Sequence, residues 1–284
     1  MKSYPRIPAL DAAPDALLDG GHLWLLEKID GYQLRFQVDA SGYIQFADRE
    51  RRFADPDAIP WPYRCATRHV RTRFDRTAFR EAVDDPTAVT FFGIATIHRS
   101  IPYDWDRIPP VLGFGIYSEK AGTFLTPDRV NAIFDRLGLD PVNSIARELP
   151  ARDVDPTDID VPMSTWYDGR AAGVIIEDKR GHRAQGVQTS DSPGSLTDQA
   201  PVSGTDPAVA IDRLLTDGRR SRLTDAVRTV AGSVSFDALF ETFLAEFARR
   251  HPSMVGGINS TTVPPKIRDA IAERTADHLD SMAR

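Results

Sequence analysis

Apolar and polar residues alternate along the first part of the chain in patterns that predict β-strands. The clearest alternation covers residues 32–38, where Leu34, Phe36 and Val38 share one face. A turn at residues 39–42 then leads into a partner strand at 43–46, which predicts a hairpin. Apolar runs predict further strands at residues 22–26, 88–97, 111–117, 173–177 and 183–188.

Helical periodicity dominates the rest of the chain. Thr126, Pro127 and Asp128 are typical of a helix start, and Gly138 is typical of its end. Apolar residues spaced three and four apart predict helices at residues 76–83, 208–215, 222–230, 236–249 and 266–283. Since the stretch before the last four helices is polar and rich in Pro, Gly and Ser, we predict a first domain at 1–190, a linker at 191–205 and a helical domain at 206–284.

Composition narrows the class of protein. The chain has 284 residues, of which 41% are hydrophobic and 27% charged, and its net charge of -6 argues against a general polyanion binder. The arginine-rich stretch 64–80 is either the lining of a local basic groove or a solvated helix face. The single cysteine, Cys65, lacks a nucleophile signature and predicts a reducing, cytoplasmic setting. No apolar run is long enough to span a membrane.

Lysine is scarce, which makes one lysine informative. The chain has 30 Arg but only 5 Lys, and Lys28 lies between a predicted strand and a turn in the sequence EKIDGYQLR. Covalent catalysis by lysine requires a neutral amine, and arginine does not lose its proton in proteins. Lys28 is therefore a candidate nucleophile. The alternative is a surface lysine paired with Asp30 before a glycine turn.

The segment around Lys28 resembles a known motif. Lys-x-Asp-Gly, followed by Arg35, is similar to motif I of the covalent nucleotidyltransferases, and the longer string EKIDGYQLRF most resembles archaeal ATP-dependent RNA ligases. The string ATIHRSIPYDW after residue 93 looks like a haloarchaeal version of that family. Further segments resemble the other motifs in the same order, at residues 44–49, 91–93, 112–117, 172–176 and 183–185.

The resemblance implies a fold and a chemistry. The fold is an α+β nucleotidyltransferase domain (ATP-grasp-like, the adenylation domain of ligases) with antiparallel sheets and helices, followed by a helical domain used for homodimerisation. Lys28 would take AMP from ATP, with Mg²⁺ or Mn²⁺, and pass it to a 5′-phosphate RNA end that a 3′-hydroxyl then attacks. The resemblance places Glu27 at the adenine, Arg35 and Arg49 at ribose or phosphate, and Phe114 on the base. The other site residues that the resemblance implies are Asp30, Gly31, Gly93 and Arg183.

Three positions depart from the family pattern. Ile94 replaces the acid of motif III, Ala172 replaces the metal-associated acid of motif IV, and Gln185 replaces the lysine of motif V. An isoleucine cannot accept a hydrogen bond from ribose, an alanine cannot ligate Mg²⁺, and a neutral glutamine cannot balance a phosphate charge. Glu177, Lys179 and Arg183 are the nearby candidates to replace them.

Three interpretations remain open. The protein is an RNA ligase with full or weak activity, a catalytically impaired relative that binds nucleotide or RNA without ligation, or an unrelated α/β protein. Phe114 is equally well explained as sheet core.

Overall fold

The computed structural model describes residues 1–155, 159–187 and 206–283, which form two compact units. The described residues of the first unit are 1–53, 69–155 and 159–187. The second unit contains residues 54–68 together with 206–283. The predicted linker at 191–205 lies outside the described residues, so the division at 190 and 206 stays a prediction.

The first unit contains two antiparallel sheets. The first sheet has the order β7-β1-β8-β9 and consists of β1 (His22–Glu27), β7 (Ser144–Pro150), β8 (Gly173–Asp178) and β9 (Arg183–Val187). The second has the order β3-β2-β4-β5-β6 and consists of β2 (Tyr32–Val38), β3 (Ile44–Ala47), β4 (Val89–Ala95), β5 (Val111–Ser118) and β6 (Thr123–Phe124). The predicted α+β class with antiparallel sheets is confirmed.

Helices cover one face of the second sheet. The Phe36 and Phe91 rings of β2 and β4 stack 4.7 Å apart, and Phe74, Phe79 and Phe134 pack around this pair. Phe79 lies on α3 (Arg76–Ala82) and Phe134 on α4 (Pro127–Arg136), while Phe74 directly follows α2 (Arg64–Arg73). The short helix α1 (Asp15–Leu18) packs instead against apolar side chains of the first sheet. The alternation of β2 thus places its apolar side chains in an aromatic core.

The other face of this sheet meets the first sheet. An apolar cluster joins Leu26 of β1 and Ile175 of β8 to Leu112 of β5, so it contains side chains from both sheets. Nearby, the guanidinium of Arg183 on β9 lies 5.1 Å from the ring of Phe124 on β6. We call the region between these two facing surfaces the inter-sheet cleft. The walls of the cleft are β-strands. Hydrogen bonds between neighbouring strands therefore fix the backbone of the residues that line it.

The second unit is built from helices and one distant segment. Its helices are α5 (Pro207–Leu214), α6 (Asp217–Ala231), α7 (Phe236–Arg250) and α8 (Pro265–Met282), close to the predicted ranges except that α6 begins five residues earlier. Trp61 joins their apolar core, and its backbone N–H donates to the Ser260 carbonyl at 2.8 Å. Cys65 contacts buried Glu246, and burial together with this carboxylate raises the pKa of the thiol to about 12. Such a thiol is protonated at neutral pH and unreactive.

Several features were not predicted from the pattern. β7 lies at a sheet edge, and its mixed sequence leaves Ile145 40% exposed, so it carries no clear alternation. The arginine-rich stretch 64–80 forms α2 and α3. The last predicted strand ends at Val187, and Gln188 lies outside the described residues. In the described part of the chain, no helix is long and apolar enough to cross a membrane.

Candidate active site

Lys28 lies where the chain crosses from the first sheet to the second. Its backbone N–H extends the β1–β8 pairing by donating to the Gly173 carbonyl at 3.0 Å. Burial lowers the pKa of Lys28, Asp30 opposes this shift, and the Arg99 cation adds to it, so the net direction is downward. The neutral amine is the nucleophilic form, and this setting increases its fraction at a given pH.

Asp30 fixes the crossing rather than facing solvent. One of its carboxylate oxygens accepts hydrogen bonds from the Ser100 N–H at 2.9 Å, the Ser100 hydroxyl at 2.8 Å and the Ile101 N–H at 3.0 Å. The Asp30 N–H donates to the Tyr103 hydroxyl at 2.7 Å. These contacts hold the turn after Lys28 against the loop that follows β4.

Gly31 allows a close approach between the crossing and β4. A Cβ atom at this position would lie 2.6 Å from the Ala95 carbonyl oxygen and 2.6 Å from the Ile94 side chain. No side chain fits there without moving the backbone. Gly93 has a comparable role inside the second sheet, since a Cβ would lie 2.8 Å from Val111 and 3.0 Å from the Leu112 carbonyl oxygen.

Glu27 is buried, and both of its carboxylate oxygens have partners. One accepts from the Ser164 hydroxyl at 2.6 Å and the other from the Thr165 N–H at 3.1 Å. Its side chain is only 1% exposed. Glu27 therefore orders the loop before β8 in this structure, and an adenine contact stays a prediction.

The two arginines that the resemblance places near ribose or phosphate have different environments. Arg35 is buried and donates to the backbone carbonyls of Asp48 at 2.9 Å and Lys2 at 2.9 Å, and to the Ser3 hydroxyl at 3.0 Å. Arg49 is exposed after β3. In this structure, Arg35 thus binds the chain itself, while the Arg49 side chain faces solvent.

Phe114 and Arg183 lie on the walls of the inter-sheet cleft. Phe114 is half-buried, and its ring centroid is 4.8 Å from that of Tyr4. Arg183 forms a buried ion pair with Glu177. Burial lowers the pKa of Arg183, but Tyr4 and Glu177 outweigh this effect and the net direction is upward. Both side chains contact Tyr4, a residue to which the sequence patterns assigned no role.

The three departures from the family pattern lie in the same region. Ile94 and Ala172 pack in the apolar cluster that joins the two sheets. Gln185 is on β9, and its side-chain amide donates to the Ile7 carbonyl at 3.0 Å. Where the family has acids, the cleft is thus lined by hydrocarbon.

The residues present do not fit a divalent cation held by the protein. Across the described ranges, no group of three or more His, Cys, Asp and Glu side chains is placed to hold a metal ion. The nearby acids already have partners: Glu27 binds Ser164 and Thr165, Asp30 binds Ser100 and Ile101, and Glu177 binds Arg183. Lys179, another candidate replacement, pairs with Glu148 at 2.7 Å.

The comparisons with known proteins show the fold. No family model matches the sequence, and no curated protein sequence matches it. A solved structure of an archaeal ATP-dependent RNA ligase, form 2, matches 99% of this chain and 74% of its own, with a TM-score of 0.50 and 16% identity.

RNA ligase structures from Naegleria gruberi are also similar. A mutant with ATP and Mn matches 66% of this chain and 57% of its own, with a TM-score of 0.52 and 13% identity. The enzyme with PPi matches 66% of this chain and 56% of its own, with a TM-score of 0.50 and 13% identity. At these identities the likeness concerns the fold, and the chain therefore has a fold similar to that of ATP-dependent RNA ligases.

Proposed function

We propose that the protein is an ATP-dependent RNA ligase-like nucleotidyltransferase in which Lys28 accepts AMP. The observation that carries this proposal is the setting of Lys28, a half-buried lysine with a lowered pKa at the crossing between two antiparallel sheets. The similar fold of solved RNA ligases supports it.

The proposed reaction begins with the neutral amine. Lys28 Nζ attacks the α-phosphorus of ATP, the N–P bond forms as the bond from that phosphorus to the bridging oxygen breaks, and pyrophosphate leaves with that oxygen. The nitrogen, which becomes positively charged on attack, then loses one proton to solvent. AMP is then transferred to a 5′-phosphate RNA end, and a 3′-hydroxyl displaces it to join the two ends. Asp30 and Gly31 contribute by fixing the backbone that carries Lys28. In this proposal Phe114 stacks on the base and Arg183 binds an anionic group, since both side chains line the inter-sheet cleft.

A second candidate function is nucleotide or RNA binding without ligation. The specific observation in its favour is that Ile94, Ala172 and Gln185 put apolar or neutral groups where transfer chemistry needs charge. Removal of one preorganised electrostatic contact typically costs about 2.7–4 kcal/mol of transition-state stabilisation. Three such losses of transition-state stabilisation would leave a protein that binds nucleotide but transfers AMP inefficiently.

Intact mass after incubation with ATP distinguishes the two functions. The protein is incubated with ATP and either Mg²⁺ or Mn²⁺, with Lys28→Ala as the control, and ATP binding is measured in parallel by calorimetry. A gain of one AMP in the natural chain and none in the control supports the ligase-like function. Binding that survives Lys28→Ala, with no adduct under either metal, supports the second function. The absence of adduct, together with no binding of either ATP or a 5′-phosphorylated RNA, overturns both.

The proposal extends to RNA ends as substrate, to the cytoplasm, and to a homodimer formed through the second unit. Sedimentation equilibrium of the full chain tests the homodimer. If the protein is a monomer at all accessible concentrations, the proposed homodimer is wrong. That result does not bear on the proposed reaction of Lys28.

The pH dependence of adduct formation should report the Arg99 cation. The cation lowers the pKa of Lys28, so Arg99→Ala is expected to raise that pKa and to reduce the neutral fraction of the amine at pH 8. Below the midpoint the rate follows the neutral fraction of the amine, so it should fall in Arg99→Ala and the whole profile should move to higher pH. The measurement is the rate of AMP incorporation from pH 6 to 10. Arg136→Ala, at an exposed position on α4, is the matched control and should leave the profile unchanged.

A further inference from the structure

Residues 2–9, which we call the strap, run through the inter-sheet cleft. At the second sheet, the Lys2 N–H donates to the Thr90 hydroxyl at 3.3 Å, and Arg35 donates to the Lys2 carbonyl and the Ser3 hydroxyl. The Lys2 ammonium lies 4.7 Å from the centroid of the Tyr117 ring. These contacts place the start of the strap over β2, β4 and β5.

Tyr4 is the central contact of the strap. Its ring makes edge contacts with Phe92, Phe114 and Phe124, at centroid distances of 5.1, 4.8 and 5.0 Å. The guanidinium of Arg183 lies 5.1 Å from the same ring. Tyr4 therefore contacts both sheets, through three phenylalanine rings of the second sheet and through Arg183 of the first.

The strap ends on β9 of the first sheet. The Gln185 side chain donates to the Ile7 carbonyl at 3.0 Å, and the Gln185 backbone N–H donates to the Pro8 carbonyl at 2.9 Å. A parallel bridge joins Ala9 to the same residue. Since Pro5 and Pro8 have no N–H group, the strap cannot form a full strand ladder. The strap is therefore held in the cleft by a few hydrogen bonds and by the ring contacts of Tyr4.

The partners of the strap include residues that the family resemblance assigns to the nucleotide site. The family resemblance places Arg35 and Phe114 at the nucleotide, and Arg183 and Gln185 lie in its motif V; all four contact the strap. Within the described chain, the Nε–H of Arg183 is buried and has no hydrogen-bond acceptor. A buried guanidinium donor without an acceptor is a binding opportunity for an anion.

We infer that the strap is an internal competitor that occupies the nucleotide position of the cleft, and that ATP binds only after the strap has left. This inference rests on the proposed function. When the binding-competent state is a minor fraction of the molecules, the apparent affinity for a ligand falls by that fraction. Weakening the strap therefore strengthens ATP binding without adding any contact to ATP.

Tyr4→Ala tests the strap in the full chain. The substitution removes three aromatic contacts and is expected to tighten ATP binding about tenfold by calorimetry. Tyr4→Phe keeps the ring and should bind ATP like the natural chain. Tyr63→Ala, which removes a buried tyrosine from the second unit, is the matched control for general loosening and should not change the affinity.

Trypsin cleavage of the natural chain gives a second readout that needs no variant. A protease requires a locally unfolded segment, so cleavage between Arg6 and Ile7 reports departure of the strap from Gln185. Addition of ATP is expected to speed this cleavage severalfold.

The outcomes separate the strap from the proposed function. If the natural chain and Tyr4→Ala bind ATP equally well, and ATP does not change the rate of cleavage, the strap does not compete with ATP. The proposed nucleotide function is not affected by that result. Undetectable ATP binding by both proteins overturns the nucleotide function and the inference that depends on it. If Tyr4→Ala does not fold, the cleavage of the natural chain with and without ATP decides.

Discussion

Lys28→Arg is expected to abolish AMP incorporation, with a loss of about 10³-fold or more, as is typical when a nucleophile is removed. The substitution keeps the positive charge and most of the side-chain volume, so the fold should be retained. It removes the group that loses a proton, since arginine stays charged in proteins. Intact mass after incubation with ATP measures the adduct, and circular dichroism confirms that the protein is folded.

Lys120→Arg is the matched control for this experiment. Lys120 is exposed and pairs with Asp84, and this hydrogen bond raises its pKa, whereas that of Lys28 is lowered. The control should form adduct like the natural chain. AMP attached to Lys28→Arg would place the nucleophile elsewhere, and peptide mapping of the adduct would then identify it.

Glu177→Ala is expected to lower the free energy of unfolding by about 3–5 kcal/mol, because it leaves the Arg183 cation buried without its carboxylate. The two side chains are only 5% and 7% exposed. Burial raises the pKa of Glu177, and the Arg183 cation opposes that shift only in part. Urea unfolding followed by circular dichroism measures the loss.

Two further variants show whether the loss comes from the buried charge. The double variant Glu177→Gln with Arg183→Met removes both charges and should recover much of the stability, since apolar replacement of a whole buried pair is often neutral. Lys120→Ala breaks an exposed pair with Asp84 and should leave unfolding unchanged. A Glu177→Ala midpoint equal to that of Lys120→Ala would contradict the assignment of a buried pair.

The sequence predicted those parts of the fold in which local pattern and tertiary environment agree. The alternation at residues 32–38 predicted β2, because one face of that strand packs against aromatic side chains. It did not indicate that Arg35 is buried on the opposite face, since an arginine in a strand more often faces water. That burial depends on carbonyl acceptors at Lys2 and Asp48, which no local pattern encodes.

The candidate site was predictable to a similar extent. The motif at Lys28 located the crossing, because a lysine before a glycine turn has a local signature. The strap has no such signature: two prolines interrupt it, and its partners lie between 32 and 179 residues away in sequence. For the same reason, the placement of residues 54–68 with the C-terminal helices had no signal in the sequence.

The short crossing at residues 28–31 has a practical consequence for spectroscopy. It joins β1 of one sheet to β2 of the other, so any change in the angle between the sheets must turn the backbone next to Lys28. With only five lysines in the chain, a sample labelled with ¹⁵N-lysine gives a side-chain spectrum simple enough to assign by single substitutions. The Lys28 amine is thereby a resolved reporter of sheet motion, whether or not any nucleotide reacts with it.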